Sequence, residues 1–205
     1  WCPSGEIRGM VIRHGEAFSI SERLTCVDEE GEVIYRPTVH YAYCPCEDAI
    51  GSLDELRSNE YQRHRRERIL RNEIVSGRDE LGCLLMGHDY KSWWIGSLLD
   101  IEESRALIPG QNPTTLQVAS SVLGALFWMI RNPEKGVKLP DDLPHEEVLD
   151  IAMPYLGPFI SRPVDWSPRL NGQVDSEKKN GRTNKPRDND DDHEDWQFEQ
   201  FLIAT

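Results

Sequence analysis

His14 and Glu16 stand two apart in the segment Val11 to Ile20, VIRHGEAFSI, and their types suit proton chemistry. In an extended backbone, side chains two apart project to one face, so the two would act as a pair on one substrate. Imidazole is the side chain whose ordinary pKa lies near neutrality, and a neighbouring carboxylate fixes its tautomer or attracts a cation. The same pairing also serves as a plain hydrogen-bonded surface or core contact. Asp79 and Glu80 sit at the mouth of an expected hairpin and add carboxylates for an ammonium group, while Trp93 and Trp94 offer an aromatic face for a cation. His40, Cys44 and Cys46 have the side-chain types of a zinc site. A structural site wants four ligands, usually as two spaced pairs, and no second pair stands nearby, so buried structural thiols are the expectation. Walker A and G-x-G-x-x-G patterns are both absent, which places any dinucleotide cradle elsewhere.

Positioning these groups requires a sheet and helices that the pattern outlines. Met10 to Ile12 and Ala17 to Thr25 read as strands, and Glu29 to Glu32 as a polar turn before a strand at Val33 to Tyr35, which together suggest a hairpin. Thr38 to Tyr43 reads as a further strand, and Glu47 to Tyr61 as a short amphipathic helix. Arg63 to Arg71 is rich in arginine but lacks interleaved aromatics, which favours a solvated or salt-bridged face over an RNA site. Asp79 to Met86, with a buried apolar run, and Trp93 to Leu99 read as a second hairpin, followed by a short helix at Asp100 to Leu107. The strongest helix signal is Pro113 to Arg131, with Asn112 as N-cap and a stripe of Leu116, Ala119, Leu123, Leu126 and Ile130. Such an apolar helix should be largely buried, and its amides, with Thr114 and Thr115, either cap normally or bind an anion. His145 to Met153 is a further helix, after which prolines impose an irregular return.

The 205 residues carry 36 acidic and 23 basic side chains, a net charge of −13. That balance disfavours nucleic acid and anionic membrane as partners and favours cations. Five cysteines without scaffold spacing, and no signal peptide, indicate a reducing, cytoplasmic setting. The apolar run within 118–130 reads as too short and too interrupted to span a bilayer. Residues 1–166 are expected to form the folded domain, 167–195 a disordered acidic insert, and 196–205 a segment that docks back. A start at Trp1, inside what looks like running sequence, suggests that an N-terminal part is missing.

Taken in order, GMVIRHGEAFSI from Gly9, YRPTVHYAYCPC from Tyr35, NEIVSGRDELGCLLMGHDYKSWWIGSLLDIEESR from Asn72, QNPTTLQVASSV from Gln111 and PYLGPFISRPVDW from Pro154 carry a family likeness. Together they resemble the C-terminal part of the bacterial homospermidine synthases, of the saccharopine dehydrogenase-like superfamily. The resemblance covers about Trp1 to Trp166 and resumes at Trp196 to Ile203. It implies an α+β fold, a mixed or antiparallel sheet with packed helices, forming the second domain of an enzyme whose N-terminal Rossmann domain holds NAD. It also implies a homodimer that joins two putrescine molecules by aminobutyl transfer, with NAD recycled. In the family pattern the histidine of RHGE lies near nicotinamide and substrate, matching His14, and the aspartate of DELG guides the cationic substrate, matching Asp79. Glu16 joins them as a substrate-binding residue only through its spacing to His14. These residues alone should be inactive. Two alternatives stay open: an oxidoreductase of the same superfamily acting on an amino acid, with Arg13 or Arg78 turned inward, and a non-enzymatic acidic interaction domain.

Overall fold

Three small antiparallel sheets and five helices make up the computed structural model, which describes residues 1–66, 69–168 and 197–202. In the first part, β1 (Met10–Ile12) pairs with β4 (Tyr41–Tyr43), and β2 (Cys26–Val27) pairs with β3 (Val33–Tyr35). Helix α1 (Gly15–Arg23) lies between β1 and β2, and α2 (Glu47–Ser58) follows β4. The expected strand at Ala17 to Thr25 is therefore a helix as far as Arg23, with Leu24 as its C-cap. Its alternation of Phe18 and Ile20 with serines is too short to choose between periods of 2 and 3.6. Tertiary contact decides, because the Ser21 hydroxyl donates to the Pro37 carbonyl at 2.8 Å and ties the helix to the segment before β4.

The second part is built on one long hairpin, β5 (Arg78–His88) and β6 (Lys91–Asp100), with β7 (Phe159–Val164) on the far side of β6. The irregular return after the prolines is thus an edge strand, where Pro163 needs no amide to donate. Asp100 ends β6 and caps α3 (Ile101–Leu107) in a capping box with Glu103. Helices α4 (Pro113–Arg131) and α5 (His145–Ala152) complete the layer.

Alternation along β6 sends Trp94 and Ser97 to opposite faces. On one face Trp94, only 5% exposed, packs with Cys2 and Val164, surrounded by Trp1, Leu84, Ile160 and Trp166. Trp94 is therefore core and offers no face to a cation. On the other face the Gln117 amide of α4 donates to Ser97 at 2.7 Å, and Leu99 is fully buried. The apolar run of β5 is not buried: Leu81, Leu85 and Met86 are exposed, since β5 is a sheet edge.

Helix α4 buries only part of the expected stripe: Leu116 is buried and Leu123 half-buried, but Ala119, Leu126 and Ile130 are exposed. Pro113, Leu116, Gln117, Ser120, Gly124 and Trp128 turn inward, while Val118, Val122, Leu126, Met129 and Ile130 are exposed. With apolar residues all round, periodicity does not select the inner side; the row of small and polar side chains does, because it lets neighbours approach. The helix has the length and hydropathy of a membrane span, yet this row packs on the sheet and α5. At Gly124 a Cβ would lie 2.7 Å from the Val148 carbonyl of α5. Gly124→Ala should gain about 0.5–1 kcal/mol of helix propensity and lose about 1–3 kcal/mol to overpacking. A net loss is therefore expected, read as a lower urea midpoint; an unchanged or higher midpoint would show that α5 yields.

Candidate active site

Pairing of β1 with β4 sets Tyr41 opposite Ile12, two residues before His14. The His14 ring stacks on the Tyr41 ring, with centroids 4.4 Å apart and planes at 15°. His14 occupies the N-cap of α1 with extended backbone, and its side chain makes no capping bond. Instead Nδ1 meets the Glu16 carboxylate. The pair forms, but across a helix start and not along a strand as the spacing suggested. A carboxylate can only accept, so Nδ1 is the donor of this contact, which leaves Nε2 as the acceptor in the tautomer with its hydrogen on Nδ1. Among the described residues Nε2 has no partner.

Beside Tyr41 opens a cleft of about 1030 Å³, whose lining includes Ile12, Arg13, Phe18, Arg36, His40 and Tyr41 but not His14, Glu16 or Asp79. The Arg13 guanidinium lies over the Phe18 ring at 5.5 Å. Phe198 of the C-terminal segment stacks on His40 at 3.9 Å, and Phe201 lies against Trp166. The acidic insert falls almost wholly within 169–196, outside the described residues. Cys44 and Cys46 are exposed, contrary to the expectation of buried thiols: β4 ends before Cys44, and Cys46 is the N-cap of α2. Among the described residues no group of three or more His, Cys, Asp or Glu could hold a metal. Of the arginine-rich run, Arg63, Arg65, Arg66 and Arg71 are exposed, and His64 lies beside Glu55 at 3.2 Å.

Asp79 stands on β5 opposite Leu99 and is half-buried. Its Oδ2 accepts from the Thr114 hydroxyl in the first turn of α4. No hydrogen bond or ion pair among the described residues joins it to the His14–Glu16 pair. Sequence reasoning missed Tyr41 and the Thr114–Asp79 bond; only the proximity of Thr114 to the helix start hinted at the latter.

Glu80 points to the opposite face and is fully engaged. It accepts from the Ser4 amide at 3.0 Å, the Ser4 hydroxyl and the Arg78 guanidinium at 2.5 Å. Arg78 is thereby engaged with Glu80 and Ser4. Burial pushes the Glu80 carboxyl up, but the Cys2, Ser4 and Arg78 hydrogen bonds outweigh it and bring its pKa down to about 2. A carboxyl lowered from the ordinary 4.5 stabilises the fold fully above that pH and loses the contribution as pH falls towards about 2. Between these limits the Glu80→Gln variant should show a flatter decline of melting temperature than the parent; parallel curves would rule the linkage out.

Residues 1–164 match the family model of the saccharopine dehydrogenase C-terminal domain. The chain is 40% identical over 205 residues to the homospermidine synthase of Blastochloris viridis, and 39% identical to that of Mesorhizobium japonicum. Each match covers 99% of this chain but only 41% and 40% of the relative, so the chain spans about two fifths of the proteins it resembles. A crystal structure of the homospermidine synthase of Legionella pneumophila in complex with NAD superposes with a TM-score of 0.75 at 40% identity, over 94% of this chain and 39% of the other. The mixed helices and antiparallel sheets agree with that structure, and the chain belongs to the saccharopine dehydrogenase C-terminal domain family.

Proposed function

We propose that this chain is the C-terminal catalytic part of an NAD-dependent homospermidine synthase. The net reaction joins two putrescine molecules into homospermidine with release of ammonia, an aminobutyl transfer in which NAD is recycled. The observation that carries the reading is 40% identity sustained over 99% of the chain to an enzyme of that name. The strands described here pair only antiparallel and carry no glycine-rich turn into a helix, so these residues do not fit a dinucleotide cradle. NAD would be held by protein outside them.

What this chain contributes is proton handling and cation binding. Nε2 of His14, left as a base by the Glu16 contact, takes and returns a proton at the reacting nitrogen. Glu16 holds the imidazole tautomer and adds negative charge for an ammonium group. Asp79 receives the ammonium at the far end of the diamine. A cytoplasmic homodimer is part of the proposal; the five free cysteines and the exposed row Val118, Val122 and Leu126 on α4 support it, and light scattering tests it.

The test is a chimera in which this chain replaces the matching C-terminal part of the Blastochloris viridis relative, supplied with putrescine and NAD. Homospermidine and ammonia are expected by chromatography. A folded chimera that makes neither would overturn the reading. Arg13 and Arg36 in the cleft favour a second reading, since guanidinium groups suit a substrate carboxylate. Reduction of NAD that depends on an amino acid and not on putrescine would favour that oxidoreductase.

A further inference from the structure

Resting on the diamine reading above, we infer that Thr114 is a positioning residue, which holds one oxygen of Asp79 so that the other meets a primary ammonium group. The Thr114 hydroxyl bonds Asp79 Oδ2, and among the described residues Oδ1 has no partner. Glu80, its neighbour, has both oxygens occupied and nothing left to offer. Nor is the Thr114 hydroxyl needed by its own helix. The cap of α4 is Asn112, whose Oδ1 accepts from the Thr115 amide at 2.9 Å. The anion at this helix start is therefore a side chain of the protein itself, where the helix dipole favours it.

Both partners sit on regular elements, and a β-branched threonine has few rotamers, so the tether has little slack. Helix α4 is locked to β6 by the buried Gln117–Ser97 bond. The surface beyond Asp79 has the second half of the chemistry. By strand register, Leu81, Ile95 and Phe159 share its sheet face, and all three are exposed apolar side chains. A carboxylate followed by an apolar strip suits a ligand with an ammonium head and a methylene stem. That is the chemistry of an aliphatic diamine.

The experiment compares Thr114→Val, Thr114→Ser and Asp79→Asn in the chimera, each checked for folding by thermal melt. Thr114→Val should raise KM for putrescine about two- to tenfold, the net worth of one hydrogen bond, with kcat within a factor of two. Thr114→Ser, which keeps the hydroxyl, should restore the parent KM. The double variant with Asp79→Asn should have the KM of Asp79→Asn alone, because the tether acts only through that carboxylate. Additive effects, an unchanged KM in Thr114→Val, or a Thr114→Val protein that fails to fold would each overturn the inference in favour of a structural threonine. If Asp79→Asn leaves both KM and kcat unchanged, the ammonium-binding role of Asp79 fails at its root, an outcome distinct from failure of the tether.

Discussion

Replacing His14 by alanine in the chimera is expected to lower kcat for putrescine by about 10²–10⁴-fold, the usual worth of a general acid–base. The size follows from the geometry. Glu16 accepts from Nδ1, Tyr41 stacks on the ring at 4.4 Å, and Nε2 has no partner among the described residues. A ring held from two sides, with its second nitrogen uncommitted, is prepared for a proton that arrives with the substrate. The fold should not suffer. His14 makes no capping bond, its side chain is 41% exposed, and surface substitutions of this kind shift stability by only about 0.5 kcal/mol. Steady-state turnover at the parent rate would remove His14 from the chemistry, whatever the substrate proves to be.

Asp79→Asn should act on binding. The neutral amide keeps the shape of the side chain and its contact with Thr114 but loses the charge that attracts an ammonium group. Hydrogen bonds to charged groups contribute about 1.5–3 kcal/mol, which corresponds to a KM for putrescine raised roughly 10–150-fold. Turnover at saturating substrate should change far less, because the remote ammonium is bound similarly before and during reaction. A fall in kcat with KM unchanged would instead place Asp79 at the reacting nitrogen. An unchanged pair of constants would leave the Thr114 bond as its whole role.

The two predictions concern groups that no hydrogen bond or ion pair joins among the described residues. His14 belongs to the part built on β1, α1 and β4, and Asp79 to the long hairpin and α4. The exposed apolar residues Phe18 and Ile34 mark surfaces of this chain that the described residues leave uncovered. Such surface is expected where relatives are more than twice as long.

Local chemistry by itself determined much of this protein. Asn112 and Pro113 start α4, Asp100 and Glu103 close a capping box, and the run from Arg78 to Asp100 forms a hairpin, because caps and turns depend on residues a few positions apart. The likeness carried by the ordered segments likewise placed the chain in its family. Tertiary structure alone decided the rest. Residues 17–23 became a helix where a short alternation suggested a strand, since contact with Pro37 outweighs four residues of pattern. Helix α4 buried Ser120 and Gly124 in place of Leu126 and Ile130, since close approach of α5 requires the small row. Thr114 reached Asp79 across 35 positions of chain, a contact set by how α4 lies on the hairpin and written in no local pattern.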